Sequence, residues 1–122
     1  MPLPVAKTTT SKEEFIVAQY LLIESRDPFE SNDVGYYYQL ARGLAEDGHE
    51  VTLFLVQNAV LAARPAAQVP QLRDVISAGL TILADEFSLK ERGITKLCEG
   101  VTAAEIDVVV DRLEAGCKTL WH

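Results

Sequence analysis

The sequence is poor in the residues on which most small-protein chemistry rests. Its 122 residues include two cysteines, Cys98 and Cys117, and two histidines, His49 and His122. The cysteines stand far apart, without CxxC spacing or a neighbouring histidine, so neither a zinc site nor a disulfide framework is written, and unpaired thiols suit a reducing cytoplasm. There is no GxGxxG and no GxxxxGK[ST], which removes the glycine-lined cradle for pyrophosphate or triphosphate. A flavin mononucleotide loop would want small hydroxyl and glycine residues where this chain has ESRDPFESN. No metal and no cofactor is expected. Positive charge is also scarce, 11 basic against 18 acidic side chains for a net charge of -7, which sets the surface against nucleic-acid backbones and anionic membrane surfaces. The longest apolar stretch, Phe15 to Ile23, carries Gln19 and is too short to cross a bilayer. The opening MPLPVAKTTTSKEE has no apolar core of signal-peptide length, so no secretory leader is expected.

What the chain does have is apolar residues, 48% of the total, enough for a core in one domain and a high load for so small a surface. Self-association is expected on that ground. Residues 1–12, with prolines and a threonine run, read as a flexible N-terminal arm, and 13–122 as a single domain. Phe15 to Ile23 is apolar nearly throughout, the pattern of a strand covered on both faces. A helix follows in which Val34, Tyr37, Tyr38, Ala41, Leu44 and Ala45 share a face, with Asn32 or Asp33 as cap and Gly48 as end. VTLFLV is a second buried strand. Pro70 opens a helix closed by Gly79, and Leu80 to Ala84 forms the third strand. A brief helix ends at Gly93, and ITKLCEGV offers a fourth strand. Thr102 and Glu105 make a capping box for a last helix with Ile106, Val109, Val110 and Leu113 as its buried stripe. CKTLWH closes the chain as an edge strand, with Trp121 read as an interface residue or a packing anchor. Strands alternating with helices predict an α/β fold: a three-layer α/β/α sandwich around a mostly parallel five-stranded sheet.

Ligand sites in such sheets lie beyond the carboxyl ends of the strands. The candidates there are Glu24 and Arg26 after the first strand, Asn58 after the second, and Asp85 and Ser88 after the third. They are expected to converge as a polar, acidic ligand-binding set. No nucleophilic triad is apparent, because His49 enters the second strand at the opposite end and His122 is read as solvent-exposed, so no catalytic residue is assigned. Asp85 also suits the acceptor aspartate of a phosphoryl-receiver domain. That alternative needs a lysine at the end of the fifth strand, and Lys118 falls at its start.

From the third strand onward, GLTILADEFSLKERGITKLCEGVTAAEIDVVVDRLEAGCKTLWH resembles the DsrE/DsrF-like family of small sulfur-relay proteins. SLKERGI, Ser88 to Ile94, is the most specific piece, and the first half agrees through its hydrophobic first strand and LAEDGHEVTLFLV. The resemblance implies a DsrE/F-like fold and a role in sulfur metabolism, with subunits assembled as homo-oligomers, trimers or hexamers. In active members a cysteine at the end of the third strand carries a persulfide, activated by a helix amino terminus. Counting back from SLKERGI puts Asp85 at that position and Ser88 at that of a frequent second cysteine. The expectation is therefore a binding or interaction subunit without the carrier thiol, with a cysteine-bearing sulfur-relay protein as a possible partner. The alternative is a sulfur carrier that uses Cys98 or Cys117.

Overall fold

The structure, a computed structural model, describes residues 16–122. The arm expected over 1–12 and the first residues of the domain lie outside them. The sheet has five strands, β1 (Gln19–Glu24), β2 (Glu50–Leu55), β3 (Thr81–Asp85), β4 (Val101–Ala104) and β5 (Lys118–Trp121). Their order across the sheet is β4-β3-β2-β1-β5, and every neighbouring pair is parallel. The expected fold class stands, with the sheet parallel throughout. No helix among the described residues is long and apolar enough to cross a membrane.

Alternation along the strands divides the sheet between two unequal covers. Leu22, Leu53, Leu55, Ile82 and Ala84 point into the larger core. There they meet Val34, Tyr37, Tyr38 and Ala41 of α1 (Asp33–Glu46), Leu72 and Val75 of α2 (Pro70–Ser77), and the tight 3-10 segment Gln57–Ala63. Leu21, Ile23, Phe54 and Val56 face the other way, where Val108 and Val109 of α4 (Asp107–Glu114) pack on them. α3 (Glu86–Glu91) extends directly from β3.

Several boundaries differ from expectation. Ile16 and Val17 are exposed and precede β1, so the buried strand is shorter than the apolar run. Asn32 stands at the N-cap of α1, yet makes no side-chain cap bond. The fourth strand is displaced furthest. Residues 94–100 form a loop whose Ile94, Leu97 and Cys98 pack against the larger core, pinned where the Cys98 N–H donates to the Ala63 carbonyl at 2.7 Å. Gly100, at φ +95°, then turns the chain into β4. An added Cβ there would stand 2.6 Å from Ile76, so glycine is required on both counts.

Thr102 therefore lies in β4 opposite Leu83 and caps nothing. α4 begins one turn later, with Ile106 at its N-cap. Strand pairing has overridden a local capping signal. Thr102→Ala should accordingly change stability by less than about 0.5 kcal/mol, where a lost cap would cost about 1 kcal/mol. A denaturant midpoint lowered by the larger amount would restore the capping box.

Candidate functional site

The two carboxylates at the strand ends, Glu24 and Asp85, are both buried, at 0% and 6% exposure. They belong to different clusters, because β2 separates their strands. Asp85 is the last residue of β3 and the N-cap of α3, and its Oδ2 accepts from the Ser88 N–H at 3.0 Å and the Ser88 Oγ at 2.6 Å. The Ser88 Oγ in turn accepts from the Gln57 N–H at 2.8 Å. Gln57 sits at φ +51° just past β2, a conformation a non-glycine residue holds only at some cost. Arg92 completes this network, donating from Nη1 to the Ser88 carbonyl and from Nε and Nη2 to the Asn58 Oδ1. Asn58, Asp85 and Ser88 are thus joined through Gln57, which also follows the second strand, and through Arg92, which position after a strand does not pick out.

Glu24 forms the second cluster. Its Oε1 lies 2.7 Å from the Nδ1 of His122 and its Oε2 accepts from the Arg26 N–H at 2.9 Å. The His122 ring stacks on Tyr37, with centroids 5.0 Å apart. The Tyr37 hydroxyl donates to the Leu120 carbonyl, and the Ser25 Oγ to the carbonyl of His122. Arg26 contributes its backbone, and its side chain is exposed. The five candidates therefore do not converge on one point. His122, read from sequence as solvent-exposed, is a partly covered partner of a buried carboxylate. The parallel pairing of β5 with β1 brings it there, and no signal local to the last residues of the chain encodes that pairing. His49 is also engaged, accepting from the Ala18 N–H and packing edge-on against Tyr20.

A cleft of about 400 Å³ opens beside Asp85, lined by Glu86, Phe87, Lys90, Glu105, Ile106 and Asp107. It is acidic and partly apolar, suited to a cation with a hydrophobic arm rather than to an anion. Among the described residues no group of histidine, cysteine and carboxylate side chains is placed to hold a metal ion. Lys118 lies at the start of β5, with its Nζ 5.9 Å from the Tyr20 ring centroid. That is the end of the sheet away from Asp85, so the receiver alternative lacks its lysine. The cysteines are no better placed for chemistry at this end. Burial pushes the Cys98 thiol up from its ordinary range, which disfavours the thiolate. Cys117 precedes β5, its Sγ 3.7 Å from the Gln19 Oε1.

Two tyrosines under the β1 cluster carry a pH dependence. Burial first, and then the Glu24 carboxylate, raises both Tyr37 and Tyr38 above their ordinary range. The folded chain holds these protons more tightly than the unfolded one, so the stability they contribute is complete below about pH 10 and is lost as pH climbs beyond it. Phenolate absorbance from these two residues should rise together with the loss of helical ellipticity. The Tyr38 hydroxyl has no hydrogen-bond partner within the described chain. Tyr38→Phe should therefore raise stability by about 1 kcal/mol, since it removes an unsatisfied buried group and keeps the ring. A lowered urea midpoint in that variant would show that the hydroxyl is satisfied.

No protein-family model matches the chain, and no curated protein does. Solved structures match it closely in shape. The YchN protein from E. coli superposes with a TM-score of 0.78 at 18% identity, over 88% of this chain and 100% of its own. A protein of unknown function from Methanobacterium thermoautotrophicum, MTH1491, gives 0.73 at 17% over the same shares. BT1422 from Bacteroides thetaiotaomicron, also of unknown function, gives 0.67 at 16%, over 85% and 94%. At such identities the likeness extends to the fold alone.

Proposed function

We propose that this chain is a DsrE/F-like protein of sulfur metabolism that works as a binding or interaction subunit, without the carrier cysteine of active relatives. The observation that carries this reading is Asp85, at the end of β3 and the start of α3, where the family resemblance would put the carrier thiol. Its carboxylate already caps α3 and holds Ser88. A carboxylate in that setting accepts hydrogen bonds or meets a cation, and cannot take up sulfane sulfur. The raised thiol of Cys98 and the remote position of Cys117 argue in the same direction. Self-association belongs to the same proposal, and sedimentation at the 13.4 kDa monomer mass at micromolar concentration would remove it.

The test is incubation with a small-molecule persulfide donor followed by mass spectrometry. Transfer would require attack of a protein thiolate on the outer sulfur, with the donor leaving as its own thiolate. The wild-type chain should gain no reducible one-sulfur adduct. Asp85→Cys should gain one, because the Ser88 N–H and the first turn of α3 would then stabilise a thiolate. An adduct on Cys98 or Cys117 of the wild-type chain would establish the sulfur-carrier alternative instead.

A further inference from the structure

The side of the sheet covered by α4 is incompletely closed. Val108 and Val109 lie over the strands, while Ile106, Val110 and Leu113 remain 52%, 57% and 53% exposed. Their spacing of four and three residues sets them in one stripe along the helix. Phe87 shares the cleft with Ile106 and is 67% exposed. Trp121 pairs with Ile23, which puts it on this same face of the sheet, and is 65% exposed. Large apolar side chains gathered on one side of a small domain mark an interaction surface rather than scattered single hydrophobics.

Charge selects the occupant. Asp107, Asp111 and Glu114 are exposed on α4 beside the apolar stripe, and Asp85, Glu86 and Glu105 line the cleft at its amino-terminal end. Among the described residues of the cleft lining and α4, the opposing cations are Lys90 and Arg112. A second copy set against this face by two-fold symmetry would press two acidic rims together as water leaves, on chains that each carry a net charge of -7. A helix with an apolar face flanked by lysine or arginine is complementary on both counts. We infer that α4 and the cleft beside Phe87 form the docking groove for a basic amphipathic helix of another protein. Its apolar face seats on Ile106, Val110 and Leu113, and its cations meet the carboxylates along the rim. This rests on the reading of the chain as a binding subunit and gives the partner its chemistry.

Trp121 is the only tryptophan in the sequence, so its emission reports on this face. The probe is a synthetic leucine/lysine helix with one apolar face, titrated into the full chain. Saturable perturbation of Trp121 emission is expected, weaker at higher salt. The double variant Val110→Ser, Leu113→Ser alters no charge and only exposed positions, and should bind at least about tenfold more weakly, with its circular dichroism unchanged. Equal binding by a scrambled peptide of the same composition, by a leucine/glutamate helix, or by the double variant would overturn the inference. So would sedimentation showing a dimer that the double variant abolishes, since a second copy would then occupy the groove. So would carbodiimide crosslinks from Lys7 or Lys12 to the carboxylates of α4, which would mean that the chain covers the groove itself. None of these outcomes bears on sulfur loading of Cys98 or Cys117, and sulfur loading leaves the titration unaffected, so the two readings fail separately.

Discussion

Replacing His122 with alanine is expected to destabilise the protein by about 3 kcal/mol, the cost of leaving a buried carboxylate oxygen without its hydrogen-bond partner. Glu24 is fully buried and its partner's side chain 24% exposed. Without the imidazole, the carboxylate keeps the Arg26 N–H and loses both the His122 contact and the shelter of the ring stacked on Tyr37. The penalty arises from a buried carboxylate oxygen left unsatisfied more than from a lost attraction. Adding Glu24→Gln to the His122→Ala variant should therefore recover much of the loss. Urea unfolding with unchanged slope gives both numbers. A double variant no more stable than the single one would mean that His122 acts by packing alone.

Asp85→Ala should cost about 2 kcal/mol, more than an exposed cap would. The substitution frees the Ser88 N–H and leaves its hydroxyl, in a residue 3% exposed, without an acceptor. The consequence reaches β2, because the same hydroxyl holds the Gln57 N–H in its left-handed conformation. Asp85→Asn retains an acceptor and should cost less than half as much. Ser88→Ala combined with Asp85→Ala should cost less than the two separately, since both break one network. Full additivity in urea unfolding would show that the cap and the Gln57 contact are independent.

The sequence is most readable where burial and local chemistry agree. VTLFLV is buried on both faces as its composition predicts, α1 turns in Val34, Tyr37, Tyr38 and Ala41, and Pro70 opens α2. The second half is harder because two local signals compete with pairing. TAAE reads as a capping box, yet Thr102 to Ala104 complete the sheet beside β3, and ITKLCEG becomes a cover over the core. That shift also moves α4. Its apolar residues surround more than half of the helix, so periodicity alone does not choose the buried edge, and Val108 with Val109 turns inward in place of Ile106, Val110 and Leu113. At the site, three residues picked by position after a strand, Asn58, Asp85 and Ser88, lie in one hydrogen-bonded network. The Glu24–His122 contact was not legible, because it depends on partners 98 positions apart.

That separation has a kinetic consequence. β1, β2 and β3 can dock through short crossovers, whereas β5 pairs only with β1 and must close a loop of almost the whole chain to do so. Loop-closure entropy defers such a contact until the rest of the sheet rewards it. β5 is thus expected to be gained last in folding and, like β4 an edge of four residues, to be among the first strands to exchange its amide hydrogens from the native state. Each such opening withdraws His122 and hydrates Glu24. The rate at which the C-terminal strand lifts therefore sets how often a buried negative charge meets solvent.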